Sequence, residues 1–195
     1  MPRVSGMREK HHQPYWDSLI RVMQDTAPTP TVNQITRLFA SGTNLGQTEW
    51  TNMVNAGVLP SDESYIVLAI RCYVWYVGTN ALLMHKLTET QLYLSFVTGP
   101  KPQFTAPSWY FPQGGGTWGY DSVTPLACNG VPQTESILKF GKSIPMPARQ
   151  NFYVEATLYD LNTVSLRTNY LNASTTIAKR EIKVFIDGLH TRDVL

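Results

Sequence analysis

Fourteen consecutive residues, Ser64 to Val77 (SYIVLAIRCYVWYV), carry a single charged side chain, Arg71. The run is too short for a bilayer-crossing helix, which needs about 20 apolar residues. Its β-branched and aromatic side chains suit a pleated backbone, so a strand is predicted. Alternation puts Ile66, Leu68, Ile70, Cys72, Val74 and Tyr76 on one face. Tyr65, Val67, Ala69, Arg71, Tyr73, Trp75 and Val77 take the other. Apolar residues on both faces mark a central strand covered on two sides. In an antiparallel protein another subunit can supply the second cover. Arg71, alone on an apolar face, is expected in a buried ion pair or at a subunit boundary. Trp75, on the same face, is a candidate contact residue.

The remaining pattern is also β. Asn33–Ala40 is a first strand, and a turn-rich stretch follows to Asp62, with Gly42, Gly46, Gly57 and Pro60. Gly78 and Asn80 end the long strand, and Ala81–Lys86 suits a helical turn. Leu87–Val97 resumes β with Leu92, Leu94 and Phe96 inward. Arg149–Asp160 alternates most cleanly, with Phe152, Val154, Ala156 and Leu158 against Tyr153, Glu155, Thr157 and Tyr159. Arg180–Asp187 repeats it with Ile182, Val184 and Ile186 inward. Weaker strands are expected at Ser122–Leu126, Glu135–Ile144 and Val164–Thr168. About eight strands with turns between them, and no βαβ alternation, predict an all-β antiparallel jelly-roll sandwich. Asp187-Gly188 reads as a turn, after which the chain is expected to stop almost where the fold stops.

Ahead of the sandwich, Gln13–Gln24 is predicted as a short amphipathic helix. Pro14 suits its first turn, and Trp16, Leu19, Ile20 and Met23 keep helical spacing. Ala27-Pro28-Thr29-Pro30 then acts as an extended connector. The expected division is residues 1–32 as arm and helix and 33–195 as the sandwich. The helix packs on its own domain or docks on a neighbour, which makes Trp16 a candidate contact.

Charged residues make up 15% of the 195 residues, against about 25% in ordinary soluble domains. Twenty-one threonines and many Asn, Ser and Gln supply the polar surface instead. Such a surface is easily desolvated and suits packing against copies of the same chain. A net charge of +2 is too small for nucleic-acid binding by the whole domain. Arg3, Arg8 and Lys10, with His11 and His12, make a weakly basic arm that is either solvated linker or faces nucleic acid or membrane. Cys72 reads as a buried thiol, and Cys72 and Cys128 make no disulfide framework. The N-terminus shows no apolar leader region, and no apolar stretch is long enough to span a bilayer, so a soluble or surface-bound protein is expected. Asn172-Ala173-Ser174 matches a glycosylation acceptor by pattern alone.

No catalytic, cofactor-binding or metal-binding residues are expected, and the chain does not read as an enzyme. His11 and His12 lie in the arm, His85 and His190 stand apart, and no third ligand accompanies any pair. There is no G-x-S-x-G elbow, and Gly114-Gly115-Gly116 lacks the Lys-Ser/Thr of a phosphate loop. Asp62 and Glu63 flank a turn. Phe104–Tyr120 is different, holding Phe104, Trp109, Tyr110, Phe111, Trp118 and Tyr120 among prolines and glycines. A loop can bury some of these rings on itself; six aromatics together leave some for a partner or ligand.

The basic arm and helix before about eight strands carry a resemblance. Ile144-Pro145-Met146-Pro147-Ala148-Arg149 leads into Gln150-Asn151-Phe152, and Glu181–Asp187 makes a closing strand. With these, residues 33–195 resemble the single jelly-roll capsid proteins of tailless icosahedral viruses that infect bacteria. The resemblance implies a virion shell subunit, with a major capsid protein foremost, made in the host cytoplasm. Its partners would be copies of itself and other capsid proteins, with no small-molecule substrate. The arm (Arg3, Arg8, Lys10) would reach under neighbours toward genome or internal membrane, in weak contact because its charge is light. The alternative is a carbohydrate-binding β-sandwich, a viral spike or lectin-like module, with Trp109, Tyr110, Trp118 and Tyr120 as stacking platform.

Overall fold

The computed structural model describes residues 8–23, 34–40, 45, 48–77, 92–111, 117–120, 126–129, 139–158 and 178–193. They form strands β1 (Arg8–His12), β2 (Tyr15–Met23), β3 (Gln34–Leu38), β4 (Glu63–Val77), β5 (Leu92–Thr98) and β6 (Lys101–Pro107). After a single 3-10 turn at Ser108–Tyr110 come β7 (Thr117–Tyr120), β8 (Leu126–Asn129), β9 (Lys139–Met146), β10 (Phe152–Leu158) and β11 (Ala178–Asp193). One antiparallel sheet runs β1-β11-β4-β9, with β2 continuing beside β1 along β11. The second runs β3-β10-β5-β6, and among the described residues β7 pairs with β8 in a separate two-stranded sheet. The pairing is nested: β2 with β11, β3 with β10, β4 with β9, and β5 with β6.

The inner faces of the two sheets make one core. Leu92, Leu94 and Phe96 of β5, Phe152, Val154 and Ala156 of β10, and Ile182, Val184 and Ile186 of β11 are fully buried, in the predicted inward phase. Each large apolar side chain so buried stabilises the fold by roughly 1.5–3 kcal/mol.

Four expectations are corrected. The stretch expected to be helical, Gln13–Gln24, is strand: Tyr15–Met23 pairs with β11 over nine residues. The alternating set Tyr15 and Asp17 is buried, and tertiary pairing overrides the helical spacing of Trp16, Leu19, Ile20 and Met23. Residues 8–23 are therefore part of the first sheet. Asp187-Gly188 is no turn either. It is a bulge inside β11, which continues to Asp193.

The same bulge corrects the two faces read for β4. Asp187 pairs Ala69 and Gly188 pairs Val67, leaving Leu68 as an extra residue without a partner in β11. Alternation slips there, so Tyr65 and Val67 enter the core before it and Ile70 and Cys72 after it. Among the described side chains, those of residues 64–73, each predicted face is split between inside and outside. Finally, residues 104–107, the start of the stretch expected as an aromatic loop, belong to the edge strand Lys101–Pro107, the place where Pro102 and Pro107 forfeit no ladder bond.

Of the weaker strands, β8 begins at Leu126 and β9 covers Lys139–Met146. Residues 81–86, 114–116, 164–168 and 172–174 lie outside the described residues.

Candidate assembly surface

With Leu92, Leu94 and Phe96 inward, β5 must turn Tyr93 and Ser95 outward, and β10 does the same with Tyr153, Glu155 and Thr157. Register then aligns Ile35, Thr157, Tyr93 and Pro107 in one row across the outer face of the second sheet. Arg37, Glu155, Ser95 and Thr105 form the next row. The second row satisfies itself. Arg37 Nε lies 3.4 Å from Glu155 Oε2, its guanidinium is 4.7 Å over the Tyr153 ring, and Thr105 Oγ1 donates to Ser95 Oγ at 2.9 Å. The charges of Arg37 and Glu155 cancel, so the two rows are net neutral.

From Pro107 the chain enters the 3-10 turn, which sets Trp109 and Tyr110 at the surface. Ile35 is 58% exposed, Tyr93 38%, Trp109 58% and Tyr110 49%. A row of large apolar side chains with no net charge beside it loses little when water is removed, which is the property of a contact surface. The Trp109 and Tyr110 rings stand edge to face at 82°, centroids 6.3 Å apart, so the two do not form one flat stacking platform.

Other expected contact residues have different surroundings. Phe111 departs from expectation: it is fully buried, its ring 5.3 Å from that of Phe104, and its carbonyl accepts the Cys72 N–H at 2.8 Å. Arg71 pairs with Asp187 across β4 and β11, a half-buried ion pair. Trp16, half-buried, faces Phe185 across β2 and β11 with ring centroids 6.5 Å apart. Arg8 and Lys10 are exposed on β1. Trp75 lies in β4, and Trp118 and Tyr120 lie in β7; their side chains, and Arg3, are outside the described residues. Tyr93 and Ile35 were missed, although the alternation around Leu92–Phe96 already turns Tyr93 outward.

The polar groups gather at one end of the first sheet. His190, which reads as isolated in sequence, meets His11 and Glu63, since β11 lies between β1 and β4. Glu9 pairs with Arg192 at 2.8 Å, and that hydrogen bond and charge hold its carboxyl below the ordinary carboxylate range. The Tyr65 hydroxyl shares its proton between the carbonyls of Gln13, at 2.5 Å, and Ile186, at 2.9 Å. Between the β4–β9 edge and the β5–β6 turn lies an open groove of about 720 Å³, lined by Ile66, Pro100, Lys101, Ile144 and Pro147 among others. Among the described residues, no three His, Cys, Asp or Glu side chains are placed to hold a metal ion. Comparison with protein-family models, with curated proteins and with solved structures finds no match to this chain.

Proposed function

We propose that this chain is a structural subunit of a virion shell, a single jelly roll that works by contact with copies of itself and with other capsid proteins, and not an enzyme. Counting β2, β3, β4, β5, β6, β9, β10 and β11 as eight strands, the pairs are first with eighth, second with seventh, third with sixth and fourth with fifth. One long hairpin rolled over itself produces that order, and it supports the jelly-roll reading. Fold alone does not assign function. The observation that carries self-association is the uncharged row Ile35–Thr157–Tyr93–Pro107, continued by Trp109 and Tyr110.

Light scattering and electron microscopy of the purified protein test this. Oligomers or closed shells are expected, and the Tyr93→Asp/Trp109→Ala variant should associate at least about tenfold more weakly, near 1.4 kcal/mol, with unchanged circular dichroism. A wild-type protein that stays monomeric toward about millimolar concentration overturns the proposal.

A further inference from the structure

Two rows of polar side chains cross the inner face of the first sheet at its β1 end. His11, His190 and Tyr65 face one another in the first, and Glu9, Arg192 and Glu63 in the second. His190 is buried. Its Nδ1 lies 3.3 Å from His11 Nε2, and the two rings meet edge to face with centroids 4.9 Å apart. Its Nε2 lies 2.9 Å from Glu63 Oε2, off the line of a hydrogen bond, so the contact is an ion pair only when the His190 ring carries its second proton. Gln13 Oε1 is 2.9 Å from His11 Nε2, and the Tyr15 ring closes the cluster 6.1 Å from that of His190.

One proton fits between the facing nitrogens of His11 and His190, donated by one ring and accepted by the other. A second sets N–H against N–H. Charge acts in the same direction. Glu9 and Glu63 contribute two negative charges and Arg192 one positive, so a single imidazolium neutralises the cluster and a second overcharges it. The phenols of Tyr15 and Tyr65 are pushed up by burial and add no charge.

Besides this pair, β1 is held by its backbone ladder to β11 and by the solvent-exposed Glu9–Arg192 ion pair, which contributes little in water. Of the β1 side chains only His11 is partly buried. β2 is anchored separately, by buried Tyr15, by Asp17 accepting the Phe39 N–H, and by Asn52, which bonds Trp16 and Pro14. Between β1 and β2 stands Gln13-Pro14, opposite the Gly188 bulge, where proline has no N–H for the ladder.

We propose that the His11–His190 pair is an acid-labile clasp: β1 stays docked on β11 while one ring is neutral, and peels away when both are protonated, leaving β2 and the sandwich in place. The clasp holds while at least one of the two rings is neutral and is lost as falling pH protonates both. It does not depend on the shell reading, and a monomer would show it equally. Hydrogen exchange of the wild-type chain, corrected for intrinsic rates, tests it between about pH 7.5 and about pH 5. Protection of amides in residues 9–12 should fall at least about tenfold while β2 and β10 keep theirs. His11→Gln, which keeps a hydrogen-bonding side chain without titrating, should remove that pH dependence. Equal protection at both pH values, or equal loss across all strands, overturns the clasp.

Discussion

Phe39 has a left-handed backbone, φ 69°, and a fully buried ring. Bulky residues avoid that region because Cβ crowds the backbone, at a cost of roughly 1–3 kcal/mol. The buried Asp17 carboxylate offsets it, accepting the Phe39 N–H at 2.5 Å through Oδ2 and the Ser18 N–H at 2.9 Å through Oδ1. Removing the carboxylate leaves a buried donor unpaired, so Asp17→Ala should cost about 2–3 kcal/mol in denaturant unfolding. Gly188 is required for another reason. A Cβ there would lie 2.1 Å from the Ile66 carbonyl oxygen and 2.6 Å from a Tyr65 ring carbon, and backbone cannot yield as a side chain does. Gly188→Ala should therefore cost about 3 kcal/mol or more, measured the same way. Neither residue advertises its role: Asp17 looks like the polar face of a helix, and Asp187-Gly188 looks like a turn.

At the scale of elements, β4 and β11 are joined by the Arg71–Asp187 pair beside the bulge that shifts both strands. Arg71→Ala leaves the buried Asp187 carboxylate without this guanidinium and should cost about 2–3 kcal/mol, less than a fully buried pair because Arg71 is half exposed. Arg71→Ala with Asp187→Asn should cost less than the sum of the two single changes in a double-mutant cycle. Strand identity was legible wherever alternation is clean: Leu92–Phe96, Phe152–Ala156 and Ile182–Ile186 all lie inward as expected. It failed where proline sits on a sheet edge, at Pro102 and Pro107, since local preference cannot reveal which side of a strand lacks a neighbour. The outward row at Tyr93 was half legible. Its phase follows from sequence, but its alignment with Ile35 and Pro107 needs the register of three strand pairs.

On the alkaline side, the stability of the folded molecule responds to pH through two buried phenols. Burial, reinforced by Glu63, pushes the Tyr15 phenol up to about 12, and burial, with Asp187 and Tyr15 beside it, pushes Tyr65 up as well. The folded state thus favours the neutral phenol, and the unfolded chain releases its protons from about pH 10. Their contribution is whole below that value and is lost as pH rises above it, by at most about 1.4 kcal/mol per pH unit for each ring. Denaturant midpoints should hold to about pH 9.5 and then fall steeply, and Tyr15→Phe should soften the fall. Association through the neutral outer row should change little with added salt, because no net charge is screened there. Sedimentation at about 0.05 and about 0.5 M salt measures that.

By itself the sequence determined a β-rich chain, its inward-facing residues in β5, β10 and β11, and a centrally placed Ser64–Val77. Those properties follow from a period of two repeated over neighbouring residues. Only tertiary structure decided that residues 15–23 are strand, that one extra residue at Leu68 exchanges the faces of β4, and that His11 meets His190. Each depends on a partner far along the chain. A strand's hydrogen bonds are made with another strand, so its edges, register and row neighbours are properties of the pair and are written in neither member alone.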